Sequence, residues 1–330
     1  MARKPLPVDL RLLSKVSRLY YEQNLTQNEI SERLHLSRPK ISRLIQQAQE
    51  VGVVKITVHL PLGVHADLED RLEKSFHLQE VVIVDVANLD SPNSVSHELG
   101  VAAASYFQST VKDKDIIGLA WGSTLSAMVN ALQPMDIKGT HVVQMIGGLG
   151  MPESEVHATS LVRQMTLLLN SKLTLLNAPG IVDNVNIKNV ILSANYMQAI
   201  IGLFSQINVA YVGIGAPTKD SVVMRDGAIM SQADLEVLLK SGAVGDIVLR
   251  FFDNNGQPVV TELDSRVIGI SLEQLKKIPR VVGVAGGHQK HAVVYAALKG
   301  GFIDVLITDE KTARYVLEKD LTFAANPVVS

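Results

Sequence analysis

Seven short apolar runs recur beyond residue 80, and most of them break at Gly, Pro or Asp. They are VVIVDV (81–86), DIIGLA (115–120), HVVQMIG (141–147), KLTLLNAPG (172–180), NVAYVGIG (208–215), RVVGVAGG (280–287) and IDVLITD (303–309). A strand apolar on both faces must be covered on both faces, which is the condition of a parallel sheet flanked by helices. Helical patterns lie between the runs, at 94–111, 125–132, 155–170 and 288–298. The alternation predicts an α/β chain. Hydrophobic residues make up 47% and charged residues 19%, a balance that excludes a disordered chain. The absence of cysteine excludes disulfides, thiolate metal sites and cysteine nucleophiles. The longest charge-free stretch, 189–218, is interrupted by Asn195, Gln198, Ser205, Gln206 and Asn208, so it does not read as a membrane span. The opening MARKPLPVDLRLL lacks the apolar core of a signal peptide, and the simplest address is the cytoplasm.

The first 60 residues differ in kind. Ten basic side chains stand there against five acidic ones, giving +5, while the remainder of a chain of net charge −2 carries −7. Such a head points to a polyanion, although small domains often carry charges of this size. Leu12, Leu13, Val16, Leu19 and Tyr20 are spaced as one helix face over 9–23. Thr26-Gln27-Asn28-Glu29 is a capping box opening a second helix, and Ser37 precedes a third with Pro39 in its first turn. Gly52 closes the third helix, and VVKITVHL (53–60) alternates like a strand. Ile30, Leu34, Leu36, Ile41 and Leu44 supply the small apolar cluster that a helix-turn-helix requires. Opposite that cluster lie Arg38, Lys40, Ser42 and Arg43, groups that bond base edges and phosphates. Thr26, Gln27 and Ser37 complete the candidate DNA-contacting set. The competing reading is a helical hairpin with a solvated basic face. Pro61-Leu62-Gly63 marks the boundary between domain 1–60 and domain 61–330. Beyond it Val64, Leu68, Leu72 and Phe76 form a helical stripe that either links paired heads or packs on its own chain.

Two strand-to-helix turns in the larger domain suit a small anion. In GLAWGST (118–124) the backbone N–H groups of Gly122, Ser123 and Thr124 converge with two hydroxyls at a helix start, where a phosphate binds readily; the alternative is an ordinary helix cap. In VAGGHQK (284–290) Lys290 falls in a helix's first turn, opposed to the macrodipole unless an anion is shared with it. Asp246 in GAVGDI is placed to accept bonds from a polyol, and Gln144, Gly147, Gly148 and Gly215 follow strand ends that line the same crevice. His157 reads as structural, and Asp309 and Glu310 as caps of the last helix. No metal-binding motif such as HExxH and no Gly-x-Ser-x-Gly elbow occurs. No cofactor is expected.

With LTQNEISERLHLSRPKISRLIQQAQEVGVVKI (25–56), GLAWGSTLSAM (118–128), LNAPGIV (176–182), YVGIGAP (211–217), GAVGDIVLRFFDNNG (242–256), RVIGISLEQL (266–275) and VAGGHQKHAVVYAALKGGFIDVLITDE (284–310) in this order, nearly the whole chain resembles the SorC family of bacterial transcriptional regulators. The resemblance implies an N-terminal helix-turn-helix domain and a Rossmann-like parallel-sheet effector domain similar to ribose-5-phosphate isomerase and glucosamine-6-phosphate deaminase. It implies a regulator of a carbohydrate-utilisation operon whose partners are double-stranded operator DNA, a phosphorylated sugar and further copies of itself, in a tetramer. The family's phosphate turn falls on Gly122, Ser123 and Thr124, its phosphate-contacting lysine on Lys290 and its polyol-contacting aspartate on Asp246, with Gln144 also matching. Where the family often has an acidic or small residue before that lysine, this chain has His288-Gln289. The rival reading is a sugar-phosphate isomerase or deaminase with a DNA-binding appendage, against which the sequence shows no acid/base pair.

Overall fold

The computed structural model describes residues 9–56, 65–148, 158–218, 221, 224 and 230–325. The chain divides into two compact units, Met1–Pro61 and Leu62–Ser330.

In the smaller unit α1 spans Leu10–Ser17, α2 Gln27–Leu34 and α3 Arg38–Glu50. The helix predicted over 9–23 starts as expected, with the Asp9 side chain accepting from Leu12 N–H, but widens into a π-turn over Arg18–Glu22. The Thr26–Glu29 capping box forms in both directions. His35 then adopts a left-handed conformation (φ 54°) and the Ser31 hydroxyl donates to the Leu36 carbonyl, closing the turn between α2 and α3. Val16, Leu19, Ile30, Ile41 and Ile45 are buried together, with Leu34, Leu36 and Leu44 packed against them. The strand predicted at 53–60 does not form over residues 53–56, and its remainder lies outside the described residues. The boundary at Pro61–Gly63, Val64 and His157 also lie outside them.

The larger unit is a seven-stranded sheet. Its strands are β1 (Glu80–Val84), β2 (Ile116–Leu119), β3 (His141–Gln144), β4 (Lys172–Thr174) and β5 (Val209–Gly213). After the separate hairpin of β6 (Gly245–Ile247) and β7 (Arg250–Phe252) come β8 (Val281–Val284) and β9 (Val305–Asp309). All seven apolar runs enter this one sheet, in the order β1-β9-β8-β5-β2-β3-β4, and every pairing in it is parallel. Helices α4 (Ala66–Phe76), α5 (Pro92–Thr110), α6 (Ser123–Ala131) and α7 (Ala158–Leu168) are followed by others, including His291–Lys299 and Glu310–Ala325.

The stripe on α4 packs on its own chain. Leu68 and Leu72 are buried in the core of the larger unit and Phe76 packs against it, so the reading of this stripe as a link between heads is not supported. The reason is the exposed edge of β1. Glu73 accepts the Val81 N–H and Glu69 the Ile83 N–H, each at 2.9 Å, so α4 supplies acceptors to edge groups that have no strand beside them.

No turn motif in the sequence marks the β6–β7 hairpin. Its two loop residues, Val248 and Leu249, both have positive φ (52° and 60°), a conformation that two-residue hairpins normally give to Asn-Gly. A β-branched residue there is strained. Burial of both side chains and a bond from Leu249 N–H to the Asp246 carboxylate hold the turn in place.

Candidate functional site

Chain order turns back at β2: β3 and β4 follow on one side, β5 and β8 on the other. Ligands of open α/β sheets bind at the strand C-termini beside such a switch point. The turns singled out from sequence follow β2, β5 and β8, which are consecutive neighbours, so the outer two are about 10 Å apart.

After β2, Gly122 (φ 143°, ψ 162°) precedes α6 without a side-chain cap. Among the described residues no acceptor takes the N–H groups of Ser123, Thr124 or Leu125. Three free donors and the positive end of the helix dipole are an arrangement suited to an anion. Thr124 is buried, and the Ser123 hydroxyl lies 3.2 Å from that of Ser96 on α5. The ordinary-cap reading of this turn fails, because neither hydroxyl caps the helix.

After β8, Lys290 ends a 3-10 turn, His288–Lys290, and occupies the N-cap position of His291–Lys299. That corrects the expectation of a lysine inside the first α-helical turn. The turn is fixed by Asp309, whose carboxylate accepts from Gly287 N–H at 2.7 Å while capping the last helix through Thr312 N–H. A Cβ at Gly286 would overlap this carboxylate.

Asp246 lies between these turns. It bridges to Gly215 beyond β5, and a Cβ at 215 would overlap its carboxylate oxygen. Burial raises the Asp246 pKa to about 6, against the opposing effects of the Leu249 N–H and the Lys290 ammonium. Burial lowers the Lys290 pKa, and Asp246 offsets part of that. Folded Asp246 therefore holds its proton up to about pH 6 and an unfolded aspartate only to about pH 4. The fold binds the extra proton in that window, so stability falls as pH rises through it. Asp246→Asn is expected to raise the unfolding free energy by roughly 1–3 kcal/mol at pH 7.5 and to leave it unchanged near pH 3.5. Urea titrations at the two pH values check this, and an equal effect at both would place the cause elsewhere.

Gln144 is fully buried at the end of β3. Its amide donates to Ile146 O at 2.7 Å, and its carbonyl oxygen has no partner among the described residues. Gly147 packs against the Ala178 and Pro179 carbonyls and gives its N–H to Ile268 O, so it shapes the loop and has no donor to offer. The sequence reading missed Trp121, whose buried indole N–H also lacks a partner.

In the smaller unit Ser37, Arg38, Lys40, Ser42 and Arg43 are all exposed, and the three cations have no bonding partner among the described residues. Ser37 sits at the N-cap of α3 but its hydroxyl makes no cap bond. Thr26 spends its hydroxyl on Glu29. Gln27 and Arg38 line a cavity of about 540 Å³ with Tyr20, Tyr21, Asn24 and Asn28. None of the last four was marked from sequence as a site residue, Tyr20 being read only as part of a helix face and Asn28 only as part of the capping box, because the four become neighbours only when the ends of α1, α2 and α3 meet.

A family model described as "Putative sugar-binding domain" matches residues 61–318. The deoxyribonucleoside regulator of Bacillus subtilis (strain 168) is 33% identical over 304 residues, spanning 92% of this chain and 96% of its own. The sorbitol operon regulator of Klebsiella pneumoniae is 31% identical over 316 residues, spanning 94% and 98%. The crystal structure of full-length SorC from Klebsiella pneumoniae superposes with a TM-score of 0.70 at 30% identity, over 94% of this chain and 99% of that one. The class is thus that of sugar-binding domains carried by transcriptional regulators. Within it, the chain belongs to the SorC family, whose members matched here include sugar-operon regulators.

Proposed function

We propose that the chain is a cytoplasmic transcription regulator whose domain 1–60 binds operator DNA and whose domain 61–330 binds a phosphorylated sugar. The observation that carries the ligand reading is the turn at Gly122–Thr124, where free N–H donors stand beside a crevice that also holds Lys290 and Asp246. The phosphate sits on the turn, Lys290 neutralises its charge, and Asp246 accepts hydroxyl bonds from the sugar. Arg38, Lys40, Ser42 and Arg43 supply the DNA contacts. The ligand regulates by binding the DNA-competent and DNA-incompetent forms with different affinity.

We further propose that the working form is a homotetramer. Val185, Ile187, Val190 and Tyr196, on the helices Val185–Ser193 and Asn195–Leu203, are exposed apolar side chains, and the first of these helices buries none of its residues. Exposed apolar surface of this kind supports an interface between copies.

Arg43→Ala is expected to weaken operator binding by about 1–3 kcal/mol if the guanidinium reads a base, or to flatten the salt slope by about one if it holds a phosphate. Gel-shift titrations at several salt concentrations distinguish the two, and unchanged affinity and slope would remove Arg43 from the interface. The rival isomerase or deaminase reading gains one observation, since Asp246 and Lys290 are two facing groups with shifted pKa values. Turnover of sugar phosphates by the purified chain would favour that reading, and saturable binding without turnover the regulator.

A further inference from the structure

The parallel register that builds the sheet also brings together three residues far apart in sequence. Val84 pairs with Asp309 across β1 and β9, so the residues that follow, Asp85 just beyond β1 and Glu310 at the start of the last helix, emerge side by side. On α4 the residues facing β1 follow helical spacing: Glu73 takes the Val81 N–H and Glu69 the Ile83 N–H. One turn earlier stands His65, whose Nε2 is 2.8 Å from Asp85 Oδ1. The donor atoms of His65, Asp85 and Glu310 all lie within 4.8 Å of one another.

We propose that His65, Asp85 and Glu310 form a binding site for one divalent first-row transition ion of the zinc type, with water completing its shell. One imidazole and two carboxylates are a borderline donor set that suits such an ion. Ligand atoms about 2.1 Å from a shared ion are about 3.0–3.4 Å apart when adjacent, so side-chain rotations suffice to close the site. The His65–Asp85 bond lies within the cluster, where an ion would replace it, and Glu310 keeps one carboxylate oxygen open. His65 is the N-cap of α4 but makes no side-chain cap bond. Asp85 is largely exposed, and Glu310 engages Arg314 through Oε1 alone. The backbone behind the donors is held: His65 O accepts the Leu68 and Glu69 N–H groups, and Asp85 and Glu310 directly follow the paired residues Val84 and Asp309. No sequence motif marks the set, because the residues meet only through the β1–β9 pairing.

Glu310 follows Asp309, which fixes the turn bearing Lys290, so an ion here also ties the start of α4 to the element that shapes the phosphate crevice. The site itself stands whether or not that crevice takes a sugar phosphate.

The test is calorimetric titration of zinc(II) into the full-length chain after treatment with chelator, with far-UV circular dichroism to confirm folding. One zinc per chain is expected, with affinity lowered at least about tenfold by each of His65→Asn, Asp85→Asn and Glu310→Gln. His288→Asn is expected to leave it unchanged. Zinc should raise the unfolding temperature of the native chain and not that of His65→Asn. Absence of saturable binding, unchanged affinity in the three variants, or loss of binding in His288→Asn would each overturn the proposal.

Discussion

Replacing Lys290 by alanine is expected to raise the dissociation constant of the cognate sugar phosphate about ten- to a hundredfold. A charged hydrogen bond to phosphate is worth roughly 1.5–3 kcal/mol, and 1.4 kcal/mol is a factor of ten. The structure adds a second loss. Lys290 is the counter-charge facing Asp246, and the alanine variant leaves that carboxylate buried beside an incoming anion. Folding should survive, because burial already disfavours the ammonium and no described hydrogen bond of the fold depends on it. Operator binding without ligand should be nearly unchanged, since Lys290 lies in the other unit. Calorimetry with the phosphorylated and unphosphorylated sugar, on both proteins, decides the matter. Equal affinity for the two proteins, or for the two sugars, would place the site elsewhere.

Replacing Asp309 by alanine is expected to destabilise the larger unit by about 3–5 kcal/mol. Its buried carboxylate accepts from Gly287 N–H at 2.7 Å, Thr312 N–H at 2.9 Å and the Thr312 hydroxyl at 2.6 Å. Alanine leaves two buried backbone donors unmet, each costing roughly 1–3 kcal/mol, and removes the cap of the last helix. Ligand affinity should fall as well, because the turn carrying Lys290 loses its anchor. Asp309→Asn, which keeps one acceptor oxygen, should lose less. Chemical denaturation measures all three proteins, and an alanine variant within about 1 kcal/mol of the native chain would show that the turn is held by other contacts.

The two effects belong to different layers of the site. In the proposed reading Lys290 meets the ligand, whereas Asp309 acts through Gly287 on the shape of the turn. Sequence reading assigned Asp309 only the local role of helix cap, and the structure shows that the same carboxylate also holds the neighbouring strand's turn, 22 residues away.

What the sequence determined alone is what depends on neighbours along the chain. Runs apolar on both faces dictated buried parallel strands, and all seven formed. The Thr26–Glu29 box and the apolar spacing dictated the three-helix head, because capping and helical periodicity act over a few residues. Glycine at 122 marked the turn where free N–H groups gather. Tertiary structure decided everything that depends on which strands become neighbours. The order β8-β5-β2 put Lys290, Asp246 and the Gly122 turn at adjacent strand ends. The hairpin carrying Asp246 turns on Val248-Leu249, residues whose own preference opposes the conformation, so only burial and the Asp246 bond could impose it. The α4 stripe was ambiguous in sequence because amphipathicity shows that a face is buried and not what buries it; the edge of β1 resolved that. The His65–Asp85–Glu310 cluster exists only through the register of β1 on β9, and no local spacing encodes a register between strands more than 200 residues apart.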